Sequence, residues 1–261
     1  MNRQRDWLAI ILASSAIVMS AGLQPATATE GTMLESKGVK TWYAVHGRGE
    51  PVILIHGWLS SSRMNWDLPG TTALLSRDFQ VVTLDVRGHG SSDKPLDESA
   101  YGTELVEDVL RVMDHLKLEK AHIVGYSMGG IIALNFLAKH PDRALSGALG
   151  GMGWMKEGGF GQNWFAQIGK NDPNTRALSI CGRSLAQLAL TEDDLTKIKV
   201  PMTVLVGDRD RIVQRLYVDP FRQVRPDISI IEIPNAGHLN CIAQKEFQQS
   251  LEYFLKKQKI R

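Results

Sequence analysis

Ser127 stands in Gly125-Tyr126-Ser127-Met128-Gly129, a G-x-S-x-G pattern extended by Gly130. A serine hydroxyl is a poor nucleophile until a neighbouring base takes its proton. At a sharp strand-to-helix turn with glycines on both sides, the hydroxyl is lifted clear of the sheet and faces the free N–H groups that open the next helix. That arrangement points to attack on a carbonyl, with the developing oxyanion held by main-chain donors. The base must come from seven histidines, at positions 46, 56, 89, 115, 122, 140 and 238. His238, in Asn235-Ala236-Gly237-His238, is the best placed. It follows an apolar run and so occupies a loop at the carboxyl end of a strand, where open α/β sheets carry their sites. His115 falls within a helical stretch, His140 precedes Pro141 at a helix end, and His122 begins a strand at the opposite end of the sheet. His46, His56 and His89 lie in loops and stay open. A carboxylate that orients the base is expected after another strand, and Gly207-Asp208-Arg209-Asp210-Arg211 offers both Asp208 and Asp210. Either gives the chain order Ser, Asp, His. The histidines lack metal-ligand spacing, so no metal or other cofactor is expected.

These residues need a scaffold. Short apolar runs at 52–55, 81–84, 122–124, 144–149, 202–206 and 228–233 are each followed within two residues by Gly, Asp or Pro. Continuous apolar runs without strict alternation read as strands buried on both faces, as in a parallel sheet. Helical stretches lie between them. Residues 102–117 carry Leu105, Val109, Val112, Met113 and Leu116 on one stripe. Residues 128–140 stop at Pro141. Phe247, Leu251 and Phe254 mark a final helix. Alternating strands and helices imply right-handed crossovers and a doubly wound sheet. A run at 39–45 alternates more and reads as an antiparallel edge. Residues 156–199 are too long for a plain crossover and are expected to form a small helical cap.

Composition narrows the function classes. Lys plus Arg number 30 and Asp plus Glu 28, for a formal net charge of +2. That balance gives no electrostatic footprint for nucleic acid. Arg3 and Arg5, an uncharged run from Trp7 to Leu23, and Ala26-Thr27-Ala28 form the three parts of a secretory signal peptide. Residues 1–28 are therefore expected to be removed, leaving 29–261 as an exported (periplasmic or secreted) hydrolase domain with no stable membrane association. An uncleaved membrane anchor is the competing expectation. Export would permit a Cys181–Cys241 disulfide, against two unpaired buried thiols.

The chain resembles the α/β-hydrolase fold family, in its serine esterase and cofactor-free haloperoxidase-like branch. His56-Gly57-Trp58 after a strand resembles the family's oxyanion loop. Asp85-Val86-Arg87-Gly88-His89-Gly90-Ser91-Ser92 resembles its D-x-R-G-x-G-x-S loop. Gly125–Gly130 resembles its nucleophile elbow, Gly207–Val213 its G-x-x-D-x-x-V acid loop, and Gly237-His238 its histidine loop. The resemblance implies a mostly parallel, eight-stranded-type sheet with helices on both faces. It implies Ser127 as nucleophile, His238 as base and Asp210 as orienter, with the backbone N–H groups of Trp58 and Met128 as the oxyanion hole. His56, Arg87 and His89 then support their loops. Dehalogenases and epoxide hydrolases of this fold carry Asp at the nucleophile position; Ser127 therefore favours acyl chemistry.

Trp58, Met152, Trp154, Phe160 and Trp164 are candidates to line an acyl pocket, with packing of the cap against the core as the plainer account. A small or medium, largely apolar carboxylic ester is the expected small-molecule substrate. The same triad could hydrolyse a C–C bond, a lactone or an amide, or carry out perhydrolysis. A binding protein that keeps the fold with little turnover is the reading of another class, and the full Ser127, Asp210 and His238 set weighs against it.

Overall fold

The computed structural model describes residues 31–165 and 176–258. The expected leader, 1–28, lies outside the described residues, as do 166–175 of the expected cap and the side chain of Trp164.

Val52, Ile53, Leu54 and Ile55 are all fully buried, which only a strand covered on both faces allows. They belong to β3 (Glu50–Ile55) of an eight-stranded sheet. The other strands are β1 (Thr32–Ser36), β2 (Val39–His46), β4 (Phe79–Leu84), β5 (Ala121–Tyr126), β6 (Ala144–Gly150), β7 (Met202–Gly207) and β8 (Ser229–Ile233). Their order across the sheet is β1-β2-β4-β3-β5-β6-β7-β8. Strands β3 to β8 run parallel, and β1 and β2 are antiparallel to their neighbours.

The run at 39–45 is antiparallel as expected, but it is not the edge. β1 lies outside it, joined through Lys37 and Gly38, both at positive φ. Two left-handed residues form the tight turn whose twist matches a hairpin. The edge strand has an exposed Met33 and little burial, so it carried too weak an apolar pattern to be read.

Alternate residues of the central strands feed two cores. Ile53, Ile55, Ile123, Val204 and Val206 pack on one face with α2 (Glu104–His115) and α3 (Met128–Lys139). Val52, Leu54, Val124 and Leu205 pack on the other with α1 (Thr71–Leu75) and the final helix, which supplies Phe247, Leu251 and Leu255. Cys181 sits in the first core and Cys241 in the second. The sheet separates them, and both are free; the Cys181–Cys241 disulfide does not form.

The long connection after β6 holds α4 (Phe160–Phe165), α5 (Arg176–Ser184) and α6 (Glu192–Lys197). Its neck is closed where Lys156 pairs with Leu190. A capping box opens α6: Thr191 Oγ1 accepts from the Asp194 N–H, and the Asp194 carboxylate accepts from the Thr191 N–H. α6 packs against α3 and against α7 (Asp219–Val224), so it belongs to the helical layer over the sheet. The excursion proper lies between 156 and 190, shorter than the expected 156–199. The last helix, α8, spans Lys245–Lys257.

Candidate active site

Ser127 follows the last residue of β5 and opens α3, with φ 53° and ψ −115°. A left-handed φ on a residue bearing a Cβ is strained, and the surroundings enforce it. The Ser127 N–H donates to the Gly150 carbonyl at 2.8 Å. A Cβ on Gly125 would come within 1.9 Å of the Gly129 carbonyl oxygen, and one on Gly129 within 2.1 Å of the Ile55 oxygen. Only glycine fits at both positions, so the helix seats directly on the sheet and the serine is pushed out at the bend.

His238 leaves β8 on a loop pinned by its neighbour strand. The Arg209 N–H donates to the Ala236 carbonyl at 2.9 Å, and Asp208 Oδ1 accepts from the Ala236 N–H at 3.1 Å. The His238 Nε2 lies 2.9 Å from Ser127 Oγ, and its Nδ1 lies 2.7 Å from Asp210 Oδ2. Asp210 is 7% exposed, whereas Asp208 is exposed. The two aspartates therefore divide: Asp210 bonds the imidazole, and Asp208 holds the loop that carries it. With Nδ1–H donated to the carboxylate, Nε2 is left to accept the serine proton.

The Gly57–Trp58 peptide lies against the serine. A Cβ on Gly57 would be 3.3 Å from Ser127 Cβ. Two side chains fix this loop. His56 Nδ1 donates to the Gly57 carbonyl at 2.7 Å, while its Nε2 accepts from the Val86 N–H at 3.0 Å. Asn65 Oδ1 accepts from the Gly57 N–H at 2.7 Å. Because the Gly57 carbonyl and the Trp58 N–H share one peptide plane, the His56 bond also sets the direction of the Trp58 N–H. Burial lowers the His56 pKa, partly opposed by nearby Asp85. The neutral ring can then donate and accept at once. His89 stacks edge-on to it and is pushed down by burial to about 3.

One short helix touches both expected oxyanion residues. The Trp58 indole N–H donates to the Leu178 carbonyl of α5 at 2.9 Å, and Cys181 Sγ of the same helix lies 3.9 Å from Met128 Sδ. Burial pushes the Cys181 thiol up to about 12, which keeps it protonated and inert.

The Asp85–Ser92 loop is structural. Asp85 is buried and accepts from the Ser62 N–H and hydroxyl and from the Ser91 N–H. Arg87 meets Asp108 in a buried bidentate pair at 2.7 and 2.6 Å. Among the other histidines, His122 is buried between Ser146 and Glu50, His140 faces Glu107, and His115 is exposed.

The pocket candidates divide. Trp154 is 1% exposed, with its indole donating to the Leu190 carbonyl at the neck. It is a core residue. Met152 is buried against Gly130. Phe160 is 66% exposed on α4. A cavity of about 390 Å³ lies at the opposite end of the sheet, lined by Pro201, Met202, Ser229 and Phe254 among others, and includes none of Ser127, Asp210 or His238. Asn65 and Tyr126 escaped the sequence reading. Asn65 is one polar residue in a loop of serines, and Tyr126 fills a variable position of the serine motif.

The sequence profile of the alpha/beta hydrolase fold matches residues 50–179, the span that holds the oxyanion loop, the Asp85 loop and the serine elbow. The chain belongs to the α/β-hydrolase fold family. This α/β hydrolase is 28% identical over 253 residues to the dihydrolipoyllysine-residue acetyltransferase component of an acetoin cleaving system from Pseudomonas putida, covering 83% of this chain and 66% of that protein. Other curated relatives are spanned over as little as 39% of their length. It is 25% identical over 243 residues to an uncharacterized carboxylesterase, nap, from Bacillus subtilis, covering 76% of each. Among solved structures it superposes on a carboxylesterase from the ammonia-oxidizing thaumarchaeon Nitrososphaera gargenis. The TM-score is 0.71 at 19% identity, over 87% of this chain and 98% of that one. The family and a carboxylesterase among the relatives support a hydrolase.

Proposed function

We propose that this α/β hydrolase is an exported serine hydrolase that cleaves a small or medium, largely apolar carboxylic ester through an acyl-enzyme. The observation that carries the reading is the continuous chain Ser127 Oγ, His238 Nε2, His238 Nδ1, Asp210 Oδ2, at 2.9 and 2.7 Å. Both distances are within the reach that general-base activation of a hydroxyl requires. Kinship with a carboxylesterase supports ester chemistry.

In the acylation step Ser127 Oγ forms a bond to the ester carbonyl carbon while its proton passes to His238 Nε2. The carbonyl oxygen takes the negative charge, facing the N–H groups of Trp58 and Met128. The tetrahedral intermediate collapses, the bond to the leaving alkoxy oxygen breaks, and that oxygen takes the proton from His238 and departs as the alcohol. Water then repeats the sequence on the acyl-serine and releases the acid. Asp210 holds the imidazole in the accepting tautomer and stabilises its charged form.

Turnover of short and long p-nitrophenyl esters by purified 29–261 tests the reading. Wild type is expected to prefer short acyl chains, and Ser127→Ala to fall to background. Equal rates in the two proteins overturn it. For export, the N-terminus of protein recovered from the producing cell is expected at Thr29. An intact leader on the mature protein would restore the anchor reading.

A further inference from the structure

The histidine loop offers His238 little packing. Its ring is 35% exposed, Gly237 precedes it, and Leu239 after it is 51% exposed. The main chain of the loop is tied to the turn after β7 at Ala236, the His238 ring to Asp210 of that turn, and Asn240 Oδ1 accepts from the Gly237 N–H within the loop itself at 2.8 Å. Besides the Ser127 hydroxyl at its ring, His238 receives a bond on its main chain from the element that carries the nucleophile: the Tyr126 hydroxyl donates to the His238 carbonyl oxygen, and it also meets Cys241 and the Ile242 main chain of the same loop. Tyr126 is the last residue of β5, directly before Ser127.

We propose that Tyr126 is a positioning residue for the base, clamping the main chain of His238 to the serine elbow and so setting the distance between Nε2 and the Ser127 hydroxyl. The proposal rests on the reading of Ser127 and His238 as nucleophile and base. The Tyr126 ring is rigidly seated. It is 4% exposed, stands edge-on to Phe247 with centroids 5.8 Å apart, and lies 5.7 Å from the His238 ring. A Cβ on Gly151 would meet the ring at 2.9 Å, so both sides of the phenol are walled. A stiff two-torsion side chain then carries the position of the elbow across to the loop. Burial raises the Tyr126 pKa well above the ordinary phenol value, so the hydroxyl keeps its proton and remains a donor throughout the working pH range.

The clamp acts on geometry, which governs the chemical step more than binding. Misplacement of a reacting group by about 1 Å costs about 10²-fold in rate. Tyr126→Phe removes the hydroxyl and keeps the ring. It is expected to lower kcat for p-nitrophenyl acetate and the second-order rate of fluorophosphonate labelling together, by about 10- to 100-fold. KM should stay within about twofold, and the thermal midpoint should change little. Leu255→Ala, which opens a cavity in the same core two turns along α8 from Phe247 and leaves the ring seated, is the packing control. It should lower the thermal midpoint and keep most of the labelling rate. Wild-type labelling and turnover in Tyr126→Phe overturn the clamp, as does a loss confined to thermal stability. If wild type itself takes no label at Ser127, the nucleophile assignment fails and the clamp fails with it; an intact wild type with an unaffected Tyr126→Phe removes the clamp alone.

Discussion

The two aspartates after β7 allow one substitution to be tried in two roles. Asp→Asn preserves size and leaves one acceptor oxygen. At position 208 the carboxylate is exposed, and its oxygen accepts from the Ala236 N–H at 3.1 Å. The amide oxygen introduced by Asp208→Asn would still accept that bond, and the lost charge is screened by solvent. The expected cost is below about 1 kcal/mol, and the activity should stay within about tenfold of wild type. At position 210 the carboxylate is 7% exposed and lies 2.7 Å from His238 Nδ1. What it supplies is negative charge next to an imidazolium that exists only after the serine proton has moved. Two unit charges about 4 Å apart attract by about 4 kcal/mol at an effective dielectric of about 20, which corresponds to about 10³ in rate. An amide can also turn its NH₂ toward the ring and favour the wrong tautomer, a change that costs about 10⁴ in a serine protease triad. Asp210→Asn is therefore expected to lose about 10³ to 10⁴ in kcat on a p-nitrophenyl ester, with KM and the urea midpoint nearly unchanged. Asp208→Asn serves as the matched control. Equal losses, or a larger loss at 208, would refute the division of roles.

Other expectations follow from the surroundings of the site. Gly129→Ala would force a Cβ to 2.1 Å from the Ile55 carbonyl oxygen, and urea unfolding should show a loss above about 4 kcal/mol or no folded protein. Arg87→Met removes the bidentate partner of buried Asp108, which keeps Arg111 at 3.0 Å; the expected loss is about 2–3 kcal/mol of stability, with the specific activity of the folded fraction kept. His89, with its folded pKa near 3, is neutral in both folded and unfolded chains above about pH 6.5. Below that pH the unfolded chain takes up a proton the folded chain refuses, so stability falls with pH at about 1.4 kcal/mol per unit for this group. His56 adds in the same direction. Between pH 6.5 and 5, His89→Asn should therefore show a shallower decline of urea stability than wild type; an unchanged slope would contradict the shift.

The parallel strands and the helices between them were legible because a strand buried on both faces leaves an unbroken apolar run and a buried helix a stripe. The serine, the histidine and the pair of aspartates were legible because glycine and strand ends mark where the chain must turn. Three things were not. The edge strand β1 has one face open and packs little, so its pattern is faint. The choice between Asp208 and Asp210 came only from family likeness, since both stand in one turn; burial and direction separate them in space. Tyr126 and Asn65 act through hydrogen bonds to main-chain atoms elsewhere in the sequence, His238 for Tyr126 and Gly57 for Asn65, 112 and 8 residues away, and residue type alone does not reveal such a partner. The separation of the two cysteines by the sheet is likewise a fact of alternation along strands, visible only once the faces are assigned.

The central claim is that Ser127 is the activated nucleophile, made so by His238. Incubation of purified protein with a fluorophosphonate, followed by intact-mass and peptide mapping, tests it most directly. The account predicts one adduct per chain, on the peptide carrying Ser127, absent in Ser127→Ala and strongly slowed in His238→Ala. An adduct that forms equally well in Ser127→Ala, or one that maps to another residue, would contradict it.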